Sequence, residues 1–440
     1  MLQTLANAFK VPELRKKMLF TALILLLFRF GAAIPVPFTA ATAGIIDQSA
    51  NNFMNYLSMM TGDAFNYGTL FAMSITPYIN SSIIIQLLTV AIPPLERLAK
   101  EGEEGRKKIS LITRIGAVII ALLQSVGYFF YLRNGKYISV DANGAAFTGF
   151  SAVLQGMVIV LCLTAGSCLL MWMGEQINKK GIGNGISMIL FAGIVSRIPT
   201  TMGILFEDFK HGGLYYAFAP IALIIMIALV VFIVWLDNSE RRIPIAYAKR
   251  VVGRKMYGGQ STSMPIKVNM SGVMPIIFAS SILSLPPTLK MFFGDKIAEG
   301  GFWDKFFNLF NTTNWFYGVV YFVLIIFFAY FYATIQYNPV EMANNLRRNS
   351  GSIPGIRPGK PTTDYIARVL SRITLLGALL ISVVAILPIV FAQITILCKA
   401  PMNNVSLGGT SVIILVGVAL ETVRQLESQM MMRHYKGFLD

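Results

Sequence analysis

A series of apolar stretches, each about as long as a membrane-crossing helix, constrains this sequence more than any other feature. A helix needs about 20 mostly apolar residues to cross the hydrocarbon core of a bilayer. Ten stretches meet this length, at residues 18–36, 69–92, 111–132, 151–173, 182–202, 214–236, 270–292, 315–336, 370–397 and 407–424. With 55% hydrophobic and only 13% charged residues, the composition excludes a soluble globular domain. We therefore predict an all-α polytopic membrane protein with ten transmembrane helices.

The first apolar stretch admits two interpretations, a cleavable signal peptide or a permanent signal anchor, because it follows a cluster of basic residues at 10–17. Arg29 interrupts the apolar run, and Pro35 and Pro37 follow it. Since everything downstream is also predicted to lie in the membrane, we favour the signal anchor.

The distribution of Lys and Arg predicts the orientation, because short cytoplasmic loops carry the excess of positive charge. If the N-terminal tail (1–17) lies in the cytoplasm, ten spans return the C-terminal tail (425–440) to the same side. With Arg424 counted in the C-terminal tail and Arg197 and Lys290 counted in the outer segments, the cytoplasmic segments hold 26 Lys and Arg residues, whereas the outer segments hold 8. Both termini are therefore expected in the cytoplasm.

Ten spans divide into two halves of five, residues 18–202 and 203–424. Because five is odd, the second half must run in the opposite direction to the first if the two are related. We see no sequence identity between the halves, so this inverted repeat is inferred from the number of spans and the polar spans in each half. Channels and secondary transporters share such an architecture, with a central pore or cavity between the halves.

Polar residues interrupt three of the spans, those at 69–92, 182–202 and 270–292. Close helix packing explains such residues, and so does a central cavity. Ile79 and Ile83 are four residues apart, as are Ile186 and Leu190, so each pair falls on one face of a helix. Such a pair is compatible with ordinary packing or with a hydrophobic constriction, and the pattern alone leaves both open.

The outer segment between the first two spans contains a short, partly apolar stretch at residues 53–67. It is too short to span the bilayer. A short re-entrant helix and an amphipathic surface turn fit it equally well, since irregular backbone at membrane depth is tolerated only inside protein or in a wet cavity.

Two long cytoplasmic loops, 237–267 and 338–368, concentrate basic residues together with tyrosine or proline. The orientation rule accounts for the charge, but not for loops of this length with so much rigid and aromatic content. We interpret them as a docking platform for an anionic partner, such as RNA phosphate or an acidic protein surface.

Catalysis is not expected. The chain has three cysteines and two histidines, with no zinc-binding spacing and no disulfide framework, so no cofactor is predicted. The glycines at 181–185 lack the G-x-G-x-x-G spacing and the preceding strand of a nucleotide site. A secondary transporter is the main rival, although no buried acidic pair suggests coupling to protons or sodium.

Five motifs, in order along the chain, resemble those of the bacterial SecY family of protein-conducting channels. These are Ser74–Leu88, Gly174–Ile177 with Gly181–Ile186, Ala248–Arg250, Val268–Met270 with Phe278–Ser281, and Pro354–Gly359. The resemblance covers essentially the whole chain.

The resemblance implies roles for individual residues. A pore ring would comprise Ile79, Ile83, Ile186, Leu190, Ile277 and Ile414, with Leu190 in place of the expected isoleucine. The segment 53–67 would be a plug helix, with candidate residues Phe53, Leu57, Met60, Gly62, Asp63 and Phe65. A lateral gate toward lipid would form where the spans 69–92 and 270–292, with the span 315–336, part from one another, and it would include Thr89, Asn184, Asn269 and Ser281. The basic residues that would bind the ribosome or SecA are Arg241, Arg242, Lys249, Arg250, Arg254, Lys255 and Arg357.

It also implies a passive mechanism in the bacterial plasma membrane. The SecA ATPase or a docked ribosome would drive secretory precursors with signal sequences through the pore, while sufficiently apolar segments would move sideways into membrane lipid. SecE and SecG would be the small membrane subunits of the complex.

Overall fold

The computed structural model describes residues 8–39, 61–134, 137–138, 150–211, 215–247, 250–252, 255–257, 261–293, 301–311, 314–398 and 409–436. This part of the chain forms thirteen helices and five short strands. The helices are α1 Pro12–Gly31, α2 Thr76–Ala91, α3 Pro93–Lys100, α4 Glu103–Asn134, α5 Phe150–Lys180, α6 Gly185–His211, α7 Tyr215–Asn238, α8 Met274–Phe293, α9 Phe302–Leu309, α10 Trp315–Gln336, α11 Pro339–Arg348, α12 Lys360–Leu397 and α13 Gly409–Lys436.

A helix overlaps each of the ten predicted spans. Among the described residues, six helical segments are long and apolar enough to cross a membrane, and α2 with α3 gives a seventh if the pair is counted as one span. The axes of α2 and α3 differ by 101° across the break at Ile92, where Pro93 removes a backbone donor and starts a new helix. The multi-pass helical class is therefore confirmed, whereas the count of ten stays a prediction.

Large apolar side chains lie exposed along the outer faces of the long helices. On α1, Leu19, Leu23, Leu26 and Phe30 are each more than half exposed and recur at intervals of three or four residues. Such a continuous stripe in water would mark an interaction surface. On a membrane span it is the face that meets lipid.

The interior is one large apolar cluster to which helices of both halves contribute, among them α2, α5, α6, α8, α10, α12 and α13. Helices α2, α4 and α8 pack against one another, which brings the first and second halves of the chain into contact. This arrangement places the predicted pore residues at the junction of the two halves.

The two long basic loops contain β-structure that the helical periodicity did not predict. The strands are β1 Glu240–Tyr247, β2 Arg250–Val252, β3 Lys255–Tyr257, β4 Ser261–Lys267 and β5 Gly351–Ser352. β1 pairs antiparallel with β4 from Glu240 opposite Lys267 to Ala246 opposite Ser261, and β5 adds to the other edge of β1. The two loops therefore form one three-stranded sheet in the order β4-β1-β5.

The sheet is fastened to the helices by its apolar face. Ile243 and Ile245 alternate with exposed residues along β1, as expected for a strand with one buried side. They pack with Ile266 of β4 against Leu346 of α11 and Ile366 of α12.

Candidate functional site

All six residues predicted for the pore ring lie in the central apolar cluster. They come from four helices, α2, α6, α8 and α13, so both halves of the chain contribute. Five of the six are at least nine-tenths buried, and Ile186 is half-buried against them. The structure thus brings together residues that are up to 335 positions apart, between Ile79 and Ile414. Their role as a pore constriction stays a prediction.

Three of the six predicted plug residues, Phe53, Leu57 and Met60, lie outside the described residues. The other three lie in the turns that lead into α2, where Phe65 is the best packed. The hydroxyl of Tyr128 on α4 donates to the carbonyl oxygen of Phe65 at 2.6 Å, and the two ring centroids are 4.6 Å apart. The end of the predicted plug segment is therefore held against α4.

Two arginines hold the same segment from the other side. Arg29 of α1 donates from Nη1 to the carbonyl oxygen of Gly62 at 3.0 Å. Arg197 of α6 lies with Nε 3.5 Å from Oδ1 of Asp63. The sequence showed Arg29 only as an interruption of an apolar run and Arg197 only as an outer charge. Their partners lie 33 and 134 positions away, so no local pattern could identify them.

The backbone at this anchoring point is unusual. Gly62 and Asp63 both have positive φ, at 64° and 67°, a conformation that glycine adopts without steric cost. A Cβ atom on Gly62 would lie 2.6 Å from Oγ of Ser196 and 3.0 Å from the carbonyl oxygen of Gly193. The segment therefore approaches α6 too closely for any larger residue to be accommodated without a shift.

Of the three helices predicted to form the lateral gate, α2, α8 and α10, helix α8 packs against both of the others. Thr89, near the end of α2, donates from its hydroxyl to the carbonyl oxygen of Ile85 at 2.6 Å, one turn earlier in its own helix. Ser281 is buried in α8. No hydrogen bond joins the four predicted gate residues to one another within the described residues.

Asn184 and Asn269, the other two predicted gate residues, make local polar contacts. The side-chain oxygen of Asn184 accepts from the backbone N–H of Ile186 at 3.1 Å and so caps the start of α6. The amide of Asn269 donates to Oδ1 of Asp237 at 2.6 Å, while its own oxygen is buried without a hydrogen-bond partner. Both residues thus stabilise helix ends, and a gating role stays a prediction.

The glycine motif before α6 permits a close helix contact. A Cβ atom on Gly185 would clash with the carbonyl oxygen of Gly174 on α5, and Gly183 has φ +84°. The side-chain oxygen of Asn178 accepts from the N–H of Gly185 at 2.7 Å. These contacts give the motif a role in packing α5 against α6.

A cleft of about 520 Å³ opens beside this contact and is lined, among others, by Asn184, Lys267, Glu421 and Arg424. Arg424 donates to the backbone oxygen of Asp237 at 2.7 Å, so the middle of α13 is tied to the end of α7. Burial lowers the pKa of the Lys267 ammonium, and nearby Arg424 lowers it further. The acidic residues that oppose this shift do not cancel it.

Arg241, Arg242 and Arg357, three of the basic residues predicted to bind a partner, are exposed around the sheet. Arg242 contacts the carboxylate of Glu240 at 2.6 Å, an exposed ion pair that stabilises little. Arg357 lies in a turn between Gly355 and Gly359, which both have positive φ, at 82° and 115°. Ile356 anchors this turn in the cluster beneath the sheet, so the neighbouring Arg357 is presented at a fixed place.

The other predicted basic residues are only partly described. Lys249 and Arg254 lie outside the described residues. Arg250 and Lys255 lie in β2 and β3, which pair antiparallel with each other, and only their backbone is described.

An ion pair joins two helices of the first half. Nε of Arg114 on α4 lies 2.6 Å from Oε1 of Glu175 on α5. Arg114 lies within the predicted span 111–132, and Glu175 lies just after the span 151–173, so both are charged residues close to the predicted membrane interior. Arg114 and Glu175 neutralise each other where α4 meets α5. The ion pair therefore explains both charges by helix packing, whereas the transporter hypothesis would assign them to ion coupling.

Comparison with known proteins agrees with the resemblance noted in the motifs. A model of the SecY family matches residues 69–423. The protein translocase subunit SecY of Mycobacterium bovis is 41% identical over 460 residues, with 100% of both chains covered.

Two solved structures share the fold. A SecY structure concerned with the plug domain and the closed state of the translocation channel has a TM-score of 0.66 at 18% identity, with 96% of both chains covered. Sec61 in a canine ribosome-channel complex has a TM-score of 0.63 at 18% identity, again with 96% of both chains covered. The family match over most of the sequence and the full-length identity to a curated relative show that the chain belongs to the SecY family.

Proposed function

We propose that the chain is the channel subunit through which secretory proteins cross the bacterial plasma membrane and membrane proteins enter lipid. The observation that carries this proposal is the meeting of six branched aliphatic side chains from both halves in the central cluster. Membership of a family whose curated relatives are protein translocase subunits supports it.

The central cluster suits a passive pore. Branched aliphatic side chains exclude water and ions because a narrow apolar passage dewets. The same side chains have no directional bonds to break, so they yield to an extended polypeptide of any sequence. The channel then needs no catalytic residue and no cofactor, and SecA or an elongating ribosome supplies the energy.

The segment held by Arg29, Arg197 and Tyr128 suits a plug. Its described end, residues 61–67, is bonded to α1, α4 and α6 through a few polar contacts at 2.6–3.5 Å. Such contacts exchange with water at modest cost, so the segment can leave and return. Residues 53–67 would therefore close the resting channel and move aside for a precursor.

The interface between α2 and α8 suits a lateral gate. It joins the two halves of the chain, 18–202 and 203–424, without a covalent connection nearby. Separation of α2 from α8 would expose the central cluster to lipid, into which a sufficiently apolar segment would partition. Thr89, Asn184, Asn269 and Ser281 would adjust the balance between the closed and the open gate.

The sheet and the turn that presents Arg357 suit the docking of a ribosome or SecA. We place them in the cytoplasm, together with the tails 1–17 and 425–440, because the basic residues concentrate on that side. SecE and SecG would complete the complex in the plasma membrane.

Disulfide crosslinking tests the pore. Cys162, Cys168 and Cys398 would be replaced by serine or alanine, and Ile83→Cys would be paired with a cysteine in a stalled secretory precursor. Leu161→Cys on α5, which is 57% exposed, is the lipid-facing control. We expect a crosslink at position 83 and none at 161. If an engaged precursor gave no crosslink at 83, 186 or 277, the pore assignment would fail and the transporter hypothesis would return.

Charge reversal tests the docking platform. We expect Arg357→Glu to weaken binding of SecA or ribosomes and to reduce the dependence of that binding on salt concentration. Arg368→Glu, at a position on α12 near the same sheet, is the matched control. Equal loss in both variants would mean that general charge, and not this turn, governs docking.

A further inference from the structure

Helix α9 is a short amphipathic helix that no part of the channel mechanism uses. Its aromatic and aliphatic residues occupy one broad side, and its polar residues occupy the other. The apolar side comprises Phe302, Trp303, Phe306, Phe307 and Leu309. The polar side comprises Asp304, Lys305 and Asn308. Eight residues extend only about 12 Å as a helix, so α9 cannot cross a bilayer.

The polar side of α9 is bonded to the end of α8. Nζ of Lys290 lies 3.2 Å from Oδ1 of Asp304 and donates at the same distance to Oδ1 of Asn308. Since Asp304 and Asn308 are one turn apart, a single ammonium fixes the rotation of α9 about its axis. This contact decides which side of the helix is turned outward.

The apolar side of α9 is left open. Phe302 is 77% exposed and Trp303 is 61% exposed, and only Phe307 of this side is buried. A helix of eight residues is not stable in water by itself, because nucleation costs more than so few backbone hydrogen bonds return. We therefore expect an apolar or amphipathic environment to cover the open side and to stabilise the helix.

This open side continues into a lipid-facing surface. The ring of Phe310, which follows α9, lies 5.8 Å from that of Phe316 at the start of α10. From there Phe316, Val319, Val323 and Phe327 recur at intervals of three or four residues and are all exposed. On a membrane-spanning helix such a stripe meets the acyl chains.

The connectivity fixes the membrane face at which α9 lies. The strand β4 leads into the start of α8, and α10 leads back toward α11 beneath the sheet. Helix α9 follows the end of α8 and precedes the start of α10, so it lies at the face of the membrane opposite the sheet. Tryptophan is favoured at this level, where its ring reaches the acyl chains and its polar N–H reaches the headgroups. Interfacial amphipathic helices also carry phenylalanine and leucine on their apolar side.

We propose that α9 is an interfacial anchor whose aromatic side inserts into the phospholipid headgroup and acyl boundary of the leaflet opposite the sheet. The insertion depth is about 5–10 Å, as for other amphipathic helices of this kind. Through Lys290 the anchor holds the end of α8 at a fixed depth. This assignment does not depend on the channel proposal, because it requires only that α8 and α10 lie in a bilayer.

Fluorescence quenching by brominated phospholipids tests the anchor. Replacement of Trp172, Trp235 and Trp315 by phenylalanine leaves Trp303 as the single tryptophan of the full-length chain. The protein is reconstituted in vesicles whose lipids carry bromine either close to the headgroup or close to the end of the acyl chain. We expect Trp303 to lose more fluorescence to the shallow bromines than to the deep ones, and little to aqueous iodide.

Two reference variants bracket this result in a background without other tryptophans. Val323→Trp, at an exposed position in the middle of α10, should respond mainly to the deep bromines. Lys305→Trp, on the polar side of α9, should respond mainly to iodide. If the variant that retains Trp303 does not fold, a nitroxide on Phe302→Cys, in a chain that keeps all four tryptophans and lacks Cys162, Cys168 and Cys398, probes the same side of the helix. Faster collision with oxygen than with a water-soluble nickel chelate is then the expected result, and the reverse order would place the aromatic side in water.

Two results would overturn the proposal. Quenching of Trp303 by iodide to the same extent as Lys305→Trp would place the aromatic side in water. Protection from both iodide and lipid bromine would show that protein covers it, either a second copy of the chain or a partner subunit.

Discussion

Substitution of Gly62 by alanine tests whether the contacts at residues 61–67 hold a plug in place. Gly62 lies at φ +64°, where its carbonyl accepts from Arg29 and its neighbour Asp63 pairs with Arg197. The side chain added by Gly62→Ala would meet Ser196 and Gly193 on α6. The substitution therefore acts on the docked segment and leaves the pore residues unchanged.

The free-energy cost of Gly62→Ala to the docked segment has two contributions. A left-handed conformation costs a residue with a Cβ roughly 1–2 kcal/mol. Displacement of the Ser196 hydroxyl, which donates to Gly193 at 2.8 Å, adds about 1 kcal/mol as an off-rotamer side chain. A sum of about 2–3 kcal/mol lowers the ratio of docked to undocked plug by roughly thirty- to hundredfold, because about 1.4 kcal/mol corresponds to a factor of ten.

Ion leak through the resting channel reports this ratio. Proteoliposomes with Gly62→Ala should release iodide faster than wild type by a similar factor in the absence of precursor. Gly203→Ala on α6, where a Cβ meets nothing within 4 Å, should leave the leak unchanged. The double variant with Ser196→Ala should leak less than Gly62→Ala alone. A folded and inserted Gly62→Ala protein that leaks no more than wild type would refute the argument.

Two further predictions concern stability. Gly166→Ala places a Cβ against the carbonyl oxygen of Leu70 and should lower the free energy of unfolding by about 1–3 kcal/mol, whereas Gly318→Ala in open space should raise it by up to about 1 kcal/mol. Thermal unfolding in detergent measures both variants. An equal shift of the unfolding temperature in the two would contradict the close contact between Gly166 and Leu70. Because the pKa of Lys267 is lowered from 10.5, the unfolded chain binds more protons than the folded one in the alkaline range below that value. The free energy of unfolding should therefore increase as the pH rises through this range. Denaturation of wild type and Lys267→Gln at several pH values tests this, and an unchanged pH slope in Lys267→Gln would exclude Lys267 as the cause.

The helices and the central cluster were predictable because their signals are local or carried by motifs. Each apolar stretch is visible as a run of residues, and the spacing of Ile79 and Ile83 places them on one face of α2. That these residues meet Ile277 and Ile414 came from the family resemblance, since no periodicity in a single helix reports on its partners.

The anchoring arginines and the sheet were not predicted, for different physical reasons. Arg29 binds a backbone carbonyl, which carries no sequence signature. The strand β1 did leave a signal, since Ile243 and Ile245 alternate with polar or exposed neighbours. This period of two spans only a few residues of a loop whose dominant feature is its positive charge, and so short an alternation does not distinguish a strand from an irregular loop.

The pairing of β1 with both β4 and β5 makes the two basic loops a single mechanical part. A force applied at Arg357 reaches β5, crosses the backbone hydrogen bonds to β1, and continues through β4 into the start of α8. A partner that displaces either loop therefore also displaces the other loop and the start of α8. A displacement of the sheet is therefore passed on to the helix that packs against α2.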